Sequence, residues 1–300
     1  MSEAAPTLLD ETVLRKLGRL RLASRRARAG QMKGERRSTR KGTSIEFADY
    51  RDYVPGDDLR RVDWNVYART ERPYVKLHEE EEDLAVHVLL DASRSMDWPE
   101  PGETGHKLEF ARRLAGLLGY LALAAGDRLV VTALRSDGLR QYGPARGRAH
   151  VLPLFAWLAV LDTGGVTDLN ASLRYYALNA ARPGLAVLIS DMFSPSGYAD
   201  GFNALGARGY ELAVAHTLAP DELDPPFAGD LRLIDAETQT PQDVTLDPGL
   251  RGFYTRRLAA WQDEIAAFCR AREAHYIAVV TAEAPEETIL RDMRHVGLVR

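Results

Sequence analysis

A single cysteine, Cys269, stands among the 300 residues of this chain. That count excludes an internal disulfide and any cysteine-rich zinc site. Following Phe268 in a helical pattern, Cys269 reads as a packed thiol rather than a reactive one. Apolar runs are short: none approaches the ~20 residues needed to cross a bilayer. The polar amino terminus also lacks the apolar core of a signal peptide, so a cytoplasmic protein is expected. Histidines are few and scattered, and none has zinc-ligand spacing. No internal repeat is visible. What remains is ordinary for a soluble protein: 45% hydrophobic and 27% charged residues, enough for one large core with extensions.

The net charge of -4 conceals an asymmetry. Between residues 15 and 41 lie Arg15, Lys16, Arg19, Arg21, Arg25, Arg26, Arg28, Lys33, Arg36, Arg37, Arg40 and Lys41, opposed only by Glu35. Residues 7–29 are expected as an amphipathic helix, with Thr7 and Asp10 at capping-box spacing and Leu9, Val13, Leu17 and Leu20 at helical intervals. Residues 30–46 read as an exposed loop. The basic run could meet nucleic acid or another acidic surface, in a strongly salt-dependent way. It lacks aromatics, which argues against stacking on single strands.

From Leu84 onward strands and helices alternate. The pattern predicts strands at Leu84–Leu90, Arg128–Leu134, Leu185–Ile189, Glu211–Thr217 and Tyr276–Thr281, with a short extended piece near Leu139–Tyr142. Helices are expected near Lys107–Ala125, His150–Leu161, Ala171–Ala181, Tyr198–Arg208, Leu250–Ala274 and Pro285–Val296. A hairpin is expected at Leu231–Thr245, inside an insertion at 219–248. Buried strands alternating with helices imply an α/β fold, with a mostly parallel sheet covered on both faces.

In such sheets ligands gather at the carboxyl ends of the strands. Three polar groups fall there. Asp91-Ala-Ser-Arg-Ser95 leaves the first strand as an oxygen-rich loop. Thr167 and Asp168 sit in a glycine-rich loop before a helix, where Asp168 reads as the helix cap. Asp191 ends a later strand. Together they offer hydroxyls from Ser93, Ser95 and Thr167 and carboxylates from Asp91 and Asp191, the oxygen set that hard cations such as Mg²⁺ or Mn²⁺ take. An Asp-x-Ser-x-Ser loop alone is weak, because such loops often only cap the next helix. The site is short of carboxylates for a metal-dependent nuclease or phosphatase, and no histidine or lysine stands beside the motifs as an obvious base. An aspartyl phosphate at Asp91 has no supporting acidic pair or late lysine.

The order Asp-x-Ser-x-Ser, Thr, Asp resembles the metal-ion-dependent adhesion site of a von Willebrand factor A domain. That resemblance implies a Rossmann-like fold and direct metal contacts from Ser93, Ser95 and Thr167. It further implies that Asp91 and Asp191 act mainly through water, with one coordination position left for a partner's carboxylate.

The segment from Glu46 to Arg69, with Tyr74-Val-Lys76 after it, is foreign to a bare A domain. It resembles the bacterial DUF fifty-eight family, whose members contain an A-like domain and are usually found beside MoxR-type AAA+ ATPases. The likeness covers roughly residues 40–300. It implies a non-catalytic adaptor whose partner, a MoxR-type ATPase or its client, presents an acidic residue.

Three parts are expected: a basic, partly flexible helix and loop at 1–45, a preface at 46–83 packed on the main domain, and the A-like domain at 84–300. Within the preface, Arg51, Arg60, Arg61 and Arg69 among Asp49, Asp52, Asp57, Asp58 and Asp63 predict a paired network. Tyr50, Tyr53, Trp64 and Tyr67 are expected to pack beneath it. The acid run Glu79–Asp83 reads as a solvated strand edge.

Overall fold

Strands made mostly of Leu, Val, Ile and Ala can only be buried, and that dictates where they lie. The computed structural model describes residues 11–24, 46–57, 59, 62–79, 84–180, 182–226, 229–234 and 240–300. The chain divides into two units, residues 30–83 and the remainder.

In the larger unit the sheet holds β3 (Ala85–Asp91), β4 (Arg128–Arg135), β5 (Gly138–Arg146), β6 (Leu185–Ser190), β7 (Glu211–Leu218) and β10 (His275–Val280). Their order across the sheet is β10-β7-β6-β3-β4-β5. Every pairing is parallel except β4 with β5, which is antiparallel. Strands β3, β6 and β7 are buried at every position, as strands with both faces covered must be.

Helices α3 (Lys107–Ala125) and α4 (Val151–Ala159) cover one face, together with Leu17 and the carboxyl-terminal Ile289, Met293 and Leu298. The other face packs against α5 (Leu169–Asn179), α6 (Ala199–Ala207) and α8 (Pro248–Arg270), through residues such as Leu173, Phe202 and Ile265. Gly126 ends α3 at φ 84°, and its N–H bonds back to the Ala122 and Leu123 carbonyls. A side chain would be strained there. Cys269 is a buried thiol, pushed up to about 11 by burial. An α/β fold with a mostly parallel sheet between helices is what the alternation predicted.

Two elements depart from expectation. Among the described residues of the helix expected over 7–29, α1 runs over Glu11–Leu17; residues 7–10 and 25–29 lie outside the described residues. Beyond Gly18 the chain instead pairs with the carboxyl terminus, Arg21 and Arg300 exchanging backbone bonds at 2.9 and 3.0 Å. This tertiary ladder outcompetes the helical periodicity, which continues through Leu20. The helix expected over Pro285–Val296 is α9 (Pro285–Glu287), followed by a π-helical stretch, Thr288–Met293. Between β7 and α8 lie α7 (Pro220–Leu223) and the hairpin of β8 (Gly229–Ile234) with β9 (Pro241–Leu246).

In the smaller unit, β1 (Glu46–Asp52) pairs antiparallel with β2 (Tyr74–Glu79), and α2 (Trp64–Thr70) lies between them in sequence. Asp63 caps α2, accepting from the Asn65 and Val66 N–H groups, so this acid has a local backbone role. Arg69 donates to the Asn65 carbonyl. Trp64 and Tyr67 do not pack beneath a network: both are exposed and meet each other edge to face at 5.9 Å. Asp58, Arg60, Arg61, most of the basic run and residues 80–83 lie outside the described residues.

Candidate metal centre

The sheet order places β3 between β4 and β6: the chain runs from β3 to β4 and β5 on one side, then crosses back to β6 on the other. A crevice forms at such a switch, beyond the carboxyl ends of the strands. Asp91 ends β3 and Asp191 follows β6, with Leu90 and Ile189 paired one residue before Asp91 and two before Asp191.

Asp91 is 1% exposed and holds its own loop in place. One carboxylate oxygen accepts the Ser93 N–H at 2.9 Å. The other accepts the Ser190 hydroxyl at 2.6 Å, tying β3 to β6. The Ser93 and Ser95 hydroxyls lie 3.0 Å apart. The glycine-rich loop is stitched alongside, Gly164 donating to the Ala92 carbonyl at 2.8 Å and Arg94 to the Gly165 carbonyl at 2.9 Å. That seam carries buried Thr167 to the same end of the sheet, where its hydroxyl has only a long 3.5 Å contact with the Leu134 carbonyl. Asp168 caps α5 through the Ala171 N–H, as its position before a helix predicted. Asp97 lies outward and contacts His106 at 3.2 Å.

Asp191 is fully buried, and both of its oxygens are engaged. Phe193 N–H donates to one at 3.0 Å. Lys107 Nζ donates to the other at 2.7 Å. The intervening Met192 is turned to φ 61°, and its N–H reaches the Ser190 hydroxyl at 2.9 Å. Lys107 corrects the reading that no lysine stands beside the motifs. It is 0% exposed, also donates to Glu222 Oε1 at 2.7 Å, and lies 5.5 Å from the Phe193 ring centre. Glu222, in α7, uses its other oxygen to accept the Ala219 N–H at 2.8 Å.

Sequence reasoning missed both residues, though one signal was present for Lys107. It is the first residue of its helix, where the dipole disfavours a cation unless acids stand close by. His216, on β7, bonds the Asp191 carbonyl at 3.1 Å and the Tyr276 hydroxyl at 2.8 Å. Burial pushes it down to about 4, so the ring is neutral.

The electrostatics are lopsided. Burial first, and the Asp191 charge second, push Asp91 up to about 6 against the hydrogen bonds from Ser190 and Ser93. Burial also raises Glu222 despite Lys107. For Lys107 burial acts downward, but Asp191 and Glu222 outweigh it and the net shift is upward. Asp191 and Glu222 therefore share one ammonium, while Asp91 feels the Asp191 charge and, among the described residues, is given no cation of its own by a direct contact. Among the described residues, no three His, Cys, Asp or Glu side chains are placed to ligate one metal. The candidate donors at this end of the sheet are instead three hydroxyls and two acids. All are hard oxygens of the kind that a divalent cation takes.

An uncharacterized protein of Mycobacterium tuberculosis is 28% identical over 275 residues, covering 91% of this chain and 86% of the relative. One from Mycobacterium avium is 32% identical over 142 residues, 46% of this chain and 83% of that protein. Among solved structures, an aerotolerance-related membrane protein from Bacteroides fragilis is 16% identical with a TM-score of 0.42, covering 71% of this chain and 99% of that one. A pilus adhesin, SpaC, from Lactobacillus rhamnosus is 10% identical with a TM-score of 0.47, covering 74% of this chain and 32% of that one. These structural likenesses are too distant to carry a function across. No helix among the described residues is long and apolar enough to cross a membrane. Residues 49–264 match the family described as Protein of unknown function DUF58, a span that takes in all five candidate ligands, and the chain belongs to that family.

Proposed function

We propose that this chain is a non-catalytic, metal-dependent protein-binding adaptor of the cytoplasm. Its larger unit reads as a von Willebrand factor A-like domain whose adhesion site takes Mg²⁺ or Mn²⁺. Ser93, Ser95 and Thr167 would supply direct contacts, with Asp91 and Asp191 behind them. What supports this reading is that all five side chains are buried at the carboxyl end of the sheet, with Asp91 tied to the Ser93 N–H and to Ser190 and the Ser93 and Ser95 hydroxyls 3.0 Å apart.

A bound divalent ion would supply one Lewis-acidic position for a partner's carboxylate. The protein's own residues do the rest. Asp91 orders the Ser93 backbone, Ser190 locks Asp91, and the stitched glycine loop fixes Thr167. More hydroxyls than acids in the donor set favour ligation over hydrolysis, because a hydroxyl neither neutralises the ion nor activates water as a base. The partner chemistry is an exposed acidic side chain, and a MoxR-type AAA+ ATPase or its client fits the family's usual setting.

The test is calorimetric and then biochemical. The native chain should bind Mg²⁺ or Mn²⁺, and a metal concentration 100-fold above Kd should stabilise it by about 2.7 kcal/mol. Asp91→Ala should abolish that binding, and with it metal-dependent capture of a purified MoxR-type ATPase. Capture that survives both chelation and Asp91→Ala overturns the adhesion reading.

A further inference from the structure

Lys107 is the anomaly of the larger unit. A lysine at the start of a helix ordinarily keeps its ammonium in water. Here it is fully buried, between a carboxylate of the candidate site and one outside it. The pairing joins three separate elements: the first turn of α3, the loop after β6, and α7 beyond β7.

We propose that Lys107 is a built-in counter-cation that, with Glu222, sets how strongly the centre holds a divalent ion. The inference rests on the metal-binding reading of the site. Its geometric basis is the occupancy of Asp191. One oxygen of Asp191 takes the Phe193 N–H and the other takes the ammonium, so direct ligation would cost one of two short bonds. Asp91 is engaged in the same way, by Ser93 and Ser190. The oxygens left free to approach an ion are therefore the neutral hydroxyls.

The charge balance gives Lys107 and Glu222 opposite signs. Removing the ammonium frees an Asp191 oxygen and takes away the positive charge that opposes the ion. Removing the Glu222 charge makes the cluster less negative and releases Lys107 to hold Asp191 alone. Both changes disturb the same buried cluster, so both lower the stability of the metal-free chain. A purely structural role would stop there. A counter-cation moves metal affinity in opposite directions in the two variants.

The experiment uses the full chain at pH 7.5 and fixed ionic strength, titrated with MgCl₂ or MnCl₂ alone in a calorimeter. Lys107→Met should bind at least tenfold more tightly than the native chain, and Glu222→Gln at least tenfold more weakly. Lys107→Arg, which keeps the charge, should stay within a few-fold of native. If Lys107→Met does not fold, the Glu222→Gln titration decides the matter. Native-like affinity in Glu222→Gln overturns the role of the pair and leaves the metal site standing. No binding by the native chain overturns both.

Discussion

Strand β3 carries two buried polar side chains, His87 and Asp91, and its two ends treat them differently. At His87 every demand is met by neutral groups. One ring nitrogen bonds the Tyr176 hydroxyl at 2.7 Å and the other the Arg182 carbonyl at 2.9 Å. Burial pushes the imidazole down to about 4, so it carries no charge. At Asp91 the hydrogen bonds are as short, yet the carboxyl is pushed up to about 6 by burial and by Asp191. Hydrogen bonding alone therefore does not separate a structural polar group from a functional one. Uncompensated charge does, because a protein has little structural reason to collect like charges in its interior.

The most severe way to break this comparison is to remove the buried ammonium that pairs with Asp191. Lys107→Met leaves Asp191 and Glu222 buried without their partner, and the metal-free chain should lose about 3–5 kcal/mol, measured by urea unfolding in chelator. A loss near zero would mean that the cluster is wet and the contrast with His87 illusory.

A second test uses pH. His87 is lowered from 6.5 to about 4 in the fold, so its contribution to stability is full above pH 6.5 and is lost as pH falls toward 4. Asp91 is raised from 3.8 to about 6, so its burial costs most above pH 6, and acid relieves that cost. The His87 shift corresponds to roughly 3 kcal/mol, and the Asp91 shift acts in the opposite direction. In chelator, His87→Gln should lose less stability than the native chain between pH 6.5 and 4, and Asp91→Asn should lose more. Parallel pH profiles for the two variants would remove the distinction between the ends.

The contrast was half legible in the sequence. Asp91, Ser93, Ser95, Thr167 and Asp191 announce themselves because each follows an apolar run or a glycine pair, and local pattern places strand ends well. His87 inside an apolar strand likewise reads as a satisfied core residue. Lys107 and Glu222 were hidden because their pairing spans 115 positions and depends on where β7 lies in the sheet. The shortened α1 has the same cause, since Arg21 meets Arg300 only after the sheet has formed. The exposed Trp64 and Tyr67 show the limit of composition: aromatic residues crowded along a sequence need not share a core.

The smallest expected effect lies at the neutral end. Tyr210 packs its ring 5.1 Å from His87 and 6.3 Å from Tyr176, yet its buried hydroxyl has no hydrogen-bond partner among the described residues. An unmet hydroxyl in the interior costs roughly 1–3 kcal/mol, whereas the ring's packing survives its removal. Tyr210→Phe should therefore leave the chain as stable as before, or more stable by about 1 kcal/mol, in denaturant unfolding. It should also leave the Mg²⁺ titration unchanged, because His87 keeps both of its own partners and the charged end of β3 keeps all of its charges. A change in metal affinity on Tyr210→Phe would show that the two ends of the strand are coupled, and that the neutral cluster is part of the site.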